Sequence, residues 1–315
     1  MKIIALVPVK NESWALPSYL SSVSKIADHI IALDDSSTDS SRDILQAAGA
    51  TVVKYDATGE KLVNMGKRRQ RLLELGRDAE GTHFIWLDAD ETFSANFAEK
   101  AKEIISKLQP GEKLTMRWIH AWKNCENYLT DPRSPFGYIW KDFIVCDTPS
   151  YSFEAKFLSE ARTPGPITNP IRLSEEQGVV IHWQFARFEA TQYKQALYRC
   201  TELLEGTRSV RRINHMYGIT LPNDTYTKAA IPKPWMAEID SPDTNNTGID
   251  PYLAQIKYLF DTHGITYFEG LQIWHIPELH QLFINITGHE PKTKVFPGWL
   301  IYLNKLKNNL HARFS

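Results

Sequence analysis

The strongest constraint on the fold is an alternation of apolar and amphipathic segments over the first ninety residues. Apolar runs predict strands at residues 3–9, 29–37, 50–56 and 83–91, and helical spacing predicts helices at 11–27, 40–49 and 67–79. This order is typical of a parallel sheet whose strands are joined by crossover helices. The fold class is therefore predicted to be α/β.

Polar residues stand directly after these predicted strands. In open parallel sheets, ligands bind beyond the carboxyl ends of the strands. The sequence therefore predicts a ligand site at this edge of the sheet. Its candidate residues are Asn11, Glu12, Asp34, Asp35, Asp88, Asp90 and Glu91.

The rest of the chain changes in character after a further predicted helix at 95–108. Apolar runs at 114–122, 138–146 and 179–183 predict strands within a region rich in Trp, Pro and Tyr. Helices are predicted at 190–206, at 250–264 between an Asp250 N-cap and a Gly264 C-cap, and in the basic tail 297–315. We predict a ligand-binding α/β half at 1–108, a second half of the same domain at 109–188 and a helical C-terminal extension at 189–315.

Composition narrows the possible partners and the compartment. The chain has 315 residues, 43% of them hydrophobic, and a formal net charge of −1, which gives no field for binding nucleic acid. Three widely spaced cysteines favour a reducing compartment, and no apolar run approaches the ~18 residues of a membrane span. A cytoplasmic protein is predicted. The tail is predicted either to pack on the protein or to make weak contact with a membrane surface.

Asp88 and Asp90 form an Asp-x-Asp pair after a buried strand. Hard divalent cations such as Mg²⁺ and Mn²⁺ take carboxylate oxygens and commonly use one or two of them together with substrate phosphates. The pattern suits a cation that bridges the protein to a diphosphate. Aspartate is also a common turn and N-cap residue, and that structural explanation stays open here.

Three motifs carry a family resemblance. LVPVKNE at 6–12, IIALDDSSTDSS at 30–41 and FIWLDADE at 84–91 resemble, in order and spacing, the N-terminal half of family-2 glycosyltransferases of the GT-A fold. The resemblance implies a Rossmann-like, mostly parallel sheet flanked by helices, followed by an acceptor and specificity region. It covers roughly residues 3 to 95; the second half of the chain matches less well.

The resemblance also implies roles for individual residues. Asp35 would accept a hydrogen bond from the nucleobase and Asp34 would support it. Asp90 would be the direct metal ligand, and Asp88 would contact the ribose, or the metal through water. The other residues implied at the nucleotide are Pro8, Asn11, Glu12 and Arg69, with Arg68 an equally close alternative to Arg69.

The catalytic carboxylate is less well marked. Transfer with inversion needs a carboxylate to take the proton of the acceptor hydroxyl. Glu160 stands closest to the position of the family's glutamate and Glu154 is second, with Asp142 a further candidate. His182 resembles a late histidine that completes the metal shell or touches the diphosphate, but a hydrogen-bonded core histidine is an equal alternative.

Two further groups could contact ligands. Four tryptophans of the second half could stack on sugars or belong to the core: Trp118, Trp122, Trp140 and Trp183. The helix after His182 carries Arg187, Lys194, Tyr198 and Arg199 at helical spacings, and its cations could contact phosphates or an acidic acceptor; a plain amphipathic helix is favoured as the explanation of Tyr198.

The leading interpretation is a glycosyltransferase that depends on Mn²⁺ or Mg²⁺. It would move a sugar from a UDP- or GDP-sugar to a glycan, lipid-linked or small-molecule acceptor. A sugar-phosphate nucleotidyltransferase is one alternative, but it needs a glycine-rich loop after the first strand, and VPVKNES has no glycine. A catalytically silent nucleotide- or sugar-binding domain is the other.

Overall fold

The structure, a computed structural model, describes residues 1–58, 64–154, 161–166, 170–222, 225–245 and 248–295. The chain divides into two compact units. Unit 1 contains Met1–Ala186 and Tyr226–Asn246, and unit 2 contains Arg187–Thr225 and Thr247–Ser315. The domain boundaries predicted at residues 108 and 188 stay a prediction.

Within the described residues, unit 1 is built on a nine-stranded sheet and a two-stranded one. The large sheet has the order β3-β2-β1-β4-β8-β6-β10-β5, with β9 beside β6, and β11 pairs with β7. The strands are β1 (Ile3–Val9), β2 (His29–Asp34), β3 (Thr51–Lys54), β4 (His83–Ile85), β5 (Glu91–Phe93), β6 (Lys113–His120), β7 (Asn127–Leu129), β8 (Ile139–Cys146), β9 (Ile171–Arg172), β10 (Val179–His182) and β11 (Lys228–Ala230).

Parallel pairs dominate the large sheet. Strands β3, β2, β1 and β4 run parallel to one another in that order, and β6 runs parallel to β9 and β10. Strand β8 is antiparallel to both β4 and β6, and β5 is antiparallel to β10. The predicted α/β class with a mostly parallel sheet is confirmed.

Helices cover both faces of this sheet. The helices of unit 1 are α1 (Leu16–Val23), α2 (Ser41–Ala47), α3 (Met65–Asp78), α4 (Ala95–Ala98) and α5 (Ala101–Ile105). Alternate residues of β1 belong to different hydrophobic clusters: Ile3, Ala5 and Val7 pack with α1, α2, α4 and α5, and Ile4 and Leu6 pack with α3. Burial on both faces explains why β1 is a continuous apolar run.

Unit 2 is helical in its described part. Its helices are α6 (Phe188–Glu205), α7 (Val210–Met216), α8 (Asp250–His263) and α9 (Pro277–Thr287). Helix α6 ends at Gly206, whose φ of 67° is the left-handed conformation that glycine adopts without strain. The four helices share one hydrophobic cluster that includes Ile213, Phe260 and Phe283.

Local boundaries differ from the predictions at three places. The predicted strand 83–91 is interrupted: β4 ends at Ile85, and β5 begins at Glu91 and pairs with β10. The predicted helix 95–108 is two short helices, α4 and α5. Asp250 is the first residue of α8 rather than its N-cap, whereas the predicted C-cap at Gly264 is confirmed.

Two predictions from the sequence concern membranes, namely that no segment spans a bilayer and that the tail could contact a membrane surface. In the part of the chain that the structure describes, no helix is both long enough and apolar enough to span a bilayer. The predicted tail helix at 297–315 lies outside the described residues.

Candidate functional site

The loops that follow β1 and β2 are adjacent because these strands are parallel neighbours, with Val9 opposite Asp34. Hydrogen bonds of Asn11 connect the two loops. Its backbone N–H donates to Ser37 Oγ at 3.0 Å, and its Oδ1 accepts from the Thr38 N–H at 2.7 Å. Asn11 has a φ of 56°, in the left-handed region that asparagine tolerates better than most residues.

Asp34 and Asp35 have different surroundings. Asp34 is fully buried, and its Oδ1 accepts from the Ser37 N–H at 3.1 Å, so it shapes the loop from within. The Asp35 side chain is 13% exposed, and its Oδ2 lies 3.1 Å from Arg68 Nη2 and 3.7 Å from Lys10 Nζ. Of the two carboxylates, Asp35 is the one that can be reached from solvent.

Pro8 and Glu12 lie near the C-terminal end of β1. Pro8 is half-buried within β1, opposite Leu33 of β2. The Glu12 N–H donates to Ser41 Oγ at 2.8 Å, and its Oε2 accepts from Trp14 Nε1 at 2.7 Å. Both glutamate contacts hold the turn after β1.

Helix α3 presents two arginines to different parts of the edge. Arg68 contacts Asp35 and lies over the Tyr55 ring, with Cζ 4.3 Å from the centroid. Arg69 Nη2 lies 3.6 Å from Asp88 Oδ1, and its Nη1 donates to the Ala161 carbonyl at 2.6 Å. Consecutive helical residues are about 100° apart, so the neighbours diverge.

Arg162 is a site residue that the sequence analysis missed. Its guanidinium donates to both carboxylate oxygens of Glu91, at 2.6 and 2.8 Å, and Nη2 lies 3.2 Å from Asp88 Oδ2. The Trp86 carbonyl also accepts from Nη1 at 3.3 Å. No motif surrounds Arg162 in the sequence, because it reaches the acids from a loop some seventy positions away.

Burial and ion pairing set the protonation of the two acids that Arg162 contacts. Burial raises the pKa of Glu91 to about 7, although Arg162 opposes that shift. Burial acts in the same direction on Asp88, but Arg162 and Arg69 outweigh it and hold the pKa of Asp88 below its usual value. Asp88 is therefore the firmly ionised member of the pair.

Asp90 faces a histidine. Its Oδ2 lies 3.3 Å from His182 Nε2, and the Trp183 N–H donates to its backbone carbonyl at 2.9 Å. His182 Nδ1 lies 3.1 Å from His120 Nδ1. Burial alone would lower the pKa of His182, but Asp90 outweighs it and the pKa is raised. The antiparallel pairing of β5 with β10 brings these elements together.

The donor groups fit a divalent cation only with help from a substrate. No group of three or more His, Cys, Asp or Glu side chains that could hold a metal ion occurs in the described part of the chain. The Asp88 carboxylate forms ion pairs with Arg69 and Arg162, whereas Asp90 and His182 pair with each other. Two protein ligands completed by phosphate oxygens would suit Mn²⁺ or Mg²⁺.

One of the four tryptophans considered as sugar platforms lies against His182 and Arg162, the two residues that pair with these acids. Trp118 stacks on His182 with centroids 4.8 Å apart, and the Arg162 Cζ lies 5.2 Å from its ring. Its indole N–H has no hydrogen-bond partner among the described residues. Trp122 and Trp183 are core residues, and Trp140 lies under Arg172.

The candidate bases are only partly described. Glu160 lies outside the described residues; the carbonyl of the next residue, Ala161, is held by Arg69. Glu154 is exposed and follows Phe153, which packs edge-on against Trp86 at 5.1 Å. Asp142 accepts from Thr115 Oγ1 on the neighbouring strand, which gives it a structural bond.

Ionisable side chains thus converge where the parallel strands end, as in α/β proteins that bind ligands beyond the carboxyl edge of their sheet. Residues 4–112 match the model of glycosyl transferase family 2, and the resemblance predicted from the three motifs is confirmed. The matched segment contains every acid and arginine described above except Arg162, Arg172 and the candidate bases.

Two solved structures are similar to parts of this chain. Glucosyl-3-phosphoglycerate synthase from Mycobacterium tuberculosis, solved with Mn²⁺, UDP-glucose and phosphoglyceric acid, is 28% identical over 29% of this chain and 34% of its own, with a TM-score of 0.24. S. aureus TarS 1-349, solved with UDP, is 21% identical over 39% of this chain and 36% of its own, with a TM-score of 0.29. The chain spans about a third of each. None of the curated proteins matches it.

Proposed function

We propose that this protein is a metal-dependent glycosyltransferase that moves a sugar from a UDP- or GDP-sugar to an acceptor hydroxyl with inversion. The observation that carries the proposal is the presence of two charged groups at the carboxyl edge of the sheet, whose members except His182 lie in the segment that matches family 2. One is Asp35 with Arg68, and the other is Asp88 and Asp90 with Arg69 and His182.

The nucleotide would bind at the ends of β1 and β2. Asp35 is partly accessible and can accept a hydrogen bond from a nucleobase N–H, in a loop shaped by Asp34 and Asn11. Arg68 and Tyr55 already stack on each other beside Asp35 and offer flat surfaces to a base. We assign base recognition to this group.

The diphosphate would bind at the acids. Asp90 and His182 would hold Mn²⁺ or Mg²⁺, and Asp88 would contact the ribose, or the cation through water. A bound cation supplies charge neutralisation for the leaving diphosphate. Arg69 and Arg162 add positive charge from the protein, and both already contact Asp88. The arginines therefore keep Asp88 ionised and oriented before any ligand arrives.

The proton of the acceptor hydroxyl would pass to a carboxylate. As the acceptor oxygen forms its bond to the anomeric carbon, the bond from that carbon to the diphosphate breaks, and the diphosphate leaves with the electron pair. Glu160 is the first candidate for the base and Glu154 the second. The ranking rests on the family resemblance, together with the bond that Arg69 makes to the carbonyl of Ala161.

Titration of the full chain with UDP and with GDP, each with and without Mn²⁺, tests the proposal. These probes are chosen because UDP-glucose with Mn²⁺ and UDP with Mg²⁺ occur in the similar synthase structures. We expect one nucleotide to bind, and more tightly with the cation. No binding of either nucleotide would overturn both a glycosyltransferase and a nucleotidyltransferase.

Turnover separates the remaining alternatives. Slow release of the nucleoside diphosphate from a nucleotide sugar, without added acceptor, is expected of a glycosyltransferase. Pyrophosphate release from a nucleoside triphosphate and a sugar phosphate would identify a nucleotidyltransferase instead. Nucleotide binding with neither reaction would leave a silent binding domain. A contact of the tail 297–315 with membranes remains a separate proposal.

A further inference from the structure

His120, the last residue of β6, is a fully buried histidine next to the proposed cation site. It stands opposite His182 of the parallel strand β10. The rings of Phe136 and Phe185 pack against it, with centroids 5.1 and 5.5 Å from that of the imidazole. A polar ring in such apolar surroundings loses free energy unless it makes a hydrogen bond.

The hydrogen-bond partner of the His120 ring among the described residues is His182. The two Nδ1 atoms are 3.1 Å apart, and His120 Nε2 is buried without a partner in the described part of the chain. The other nitrogen of His182, Nε2, lies 3.3 Å from Asp90 Oδ2. His182 therefore lies between His120 and Asp90 and contacts each of them through one ring nitrogen.

Trp118 restricts the orientation of the His182 ring. The two rings stack with an angle of 20° between their planes and centroids 4.8 Å apart. Trp118 also packs against His120 at 4.4 Å, and the two imidazoles lie 4.9 Å apart at 68°. Because the three rings contact one another, His182 cannot turn over without disturbing the other two. The direction of its hydrogen bond to His120 then decides which of its nitrogens carries the proton.

That hydrogen bond can run in two directions. One proton must lie between the two Nδ1 atoms, since two lone pairs or two N–H groups would repel each other at this distance. If neutral His182 donates, its Nε2 has a free lone pair directed at Asp90. If His120 donates instead, His182 carries its proton on Nε2, which then pairs with Asp90 and has no lone pair for a cation. Only the first direction is compatible with a cation held by Asp90 and His182.

We propose that His120 is a positioning residue for the cation site. It accepts a hydrogen bond from the Nδ1–H of His182 and thereby keeps the Nε2 lone pair of His182 available to Mn²⁺ or Mg²⁺ beside Asp90. The inference rests on the proposed function, because it assumes a cation at Asp90 and His182. His120 lies beyond the segment that matches family 2, and it acts through His182 alone.

Two substitutions of equal size test the acceptor. Leucine and asparagine have nearly the same shape, but only asparagine offers an acceptor oxygen near the position of Nδ1. With the full chain and saturating UDP or GDP, the Kd for Mn²⁺ measured by calorimetry should rise about 10- to 100-fold in His120→Leu. His120→Asn should keep most of the wild-type affinity. An unchanged Kd in His120→Leu, or an equal loss in both variants, would overturn the proposal.

The control is another buried histidine of the same sheet. His83 is the first residue of β4, at the opposite end of the strand from the acids, and His83→Leu should leave the Kd for Mn²⁺ unchanged. The wild type separates this inference from the proposed function. No binding of nucleotide or Mn²⁺ by the wild type would overturn both, whereas normal binding by both the wild type and His120→Leu would overturn this inference alone.

A measurement on the wild type covers the case in which the His120 variants do not fold. In protein labelled with ¹⁵N-histidine, nitrogen chemical shifts distinguish a ring protonated at Nδ1 from one protonated at Nε2, and the spectrum of His182→Gln identifies the signals of His182. Mg²⁺ replaces Mn²⁺ here because it is diamagnetic. With Mg²⁺ and nucleotide bound, we expect His182 to carry its proton on Nδ1. A proton on Nε2 of His182 in that state would contradict the proposal.

Discussion

Arg162 in unit 1 and Arg199 in unit 2 are both buried, but their surroundings differ. Arg162 donates to both oxygens of Glu91, contacts Asp88 and reaches the Trp86 carbonyl. Arg199 donates to one carbonyl, and two of its nitrogens have no partner within the described residues. The first charge is compensated by carboxylates of the chain itself, and the second has no carboxylate partner among the residues that the structure describes.

The difference separates a charged site whose acids and bases pair with each other from a buried charge that is held by a backbone carbonyl. At the strand ends of unit 1, acids and bases neutralise each other before anything binds, so the geometry of Asp88 and Asp90 is fixed in advance. In the described part of unit 2, Arg199 has a carbonyl acceptor and no carboxylate partner. Four variants can break or sharpen this comparison, and the largest expected effect comes first.

Asp90→Asn should abolish sugar transfer without unfolding the protein, because it removes the proposed cation ligand at a turn between two strands. Asp261→Asn, at an exposed position on α8, should leave transfer unchanged. Transfer and the far-UV circular dichroism of both variants are the measurements. Wild-type activity should also vanish with a chelator and return with Mn²⁺ or Mg²⁺; full activity in the chelator would rule out this mechanism.

Glu160→Gln should lower turnover by about 10²–10⁴ with little change in donor binding, the usual value of general-base catalysis. Glu154→Gln is the matched control, since it makes the same change six residues earlier. Steady-state kinetics and donor titration measure the two effects separately. If Glu154→Gln is the inactive variant, our order of the two candidates is wrong.

Arg162→Met should lower the free energy of unfolding by about 3–5 kcal/mol, because it leaves the buried Glu91 carboxylate without its arginine and Asp88 with Arg69 alone. Arg199→Met should cause little loss or a gain, because Arg199 has no carboxylate partner among the described residues. Denaturant unfolding of both variants measures the contrast. Equal losses in the two variants would mean that both arginines are equally well compensated, which would contradict the comparison.

Asp35→Ala should weaken nucleotide binding by about 1–3 kcal/mol, the value of a hydrogen bond to a charged group. Part of that loss would come from releasing Arg68, which contacts Asp35 at 3.1 Å. Titration with the preferred nucleotide measures the change in the dissociation constant. Asp43→Ala, on the exposed side of α2, serves as the control. A dissociation constant unchanged from wild type would move the base contact to another residue.

Local patterns predicted the first half of the fold well. Strands β1 to β4 and helices α1 to α3 lie where the period of the apolar residues predicted them, and their parallel order follows from the alternation. The break of the fourth strand before Glu91 was not predictable, because it depends on the pairing of β5 with β10, some ninety residues away. Asp250 was misassigned because a helix-initial aspartate and an N-cap look alike in sequence.

The sequence by itself determined the α/β class, the edge at which the acids gather and the match of residues 4–112 to the family-2 model, because these depend on short-range period and on contiguous motifs. Only the tertiary structure assigned Arg68 to Asp35 and Arg69 to Asp88, brought Arg162 to Glu91 and gave Arg199 a single carbonyl acceptor among the described residues. Ion pairs form between side chains that are distant along the chain, and their strength depends on burial. A local sequence pattern contains neither the partner of an ion pair nor its degree of burial.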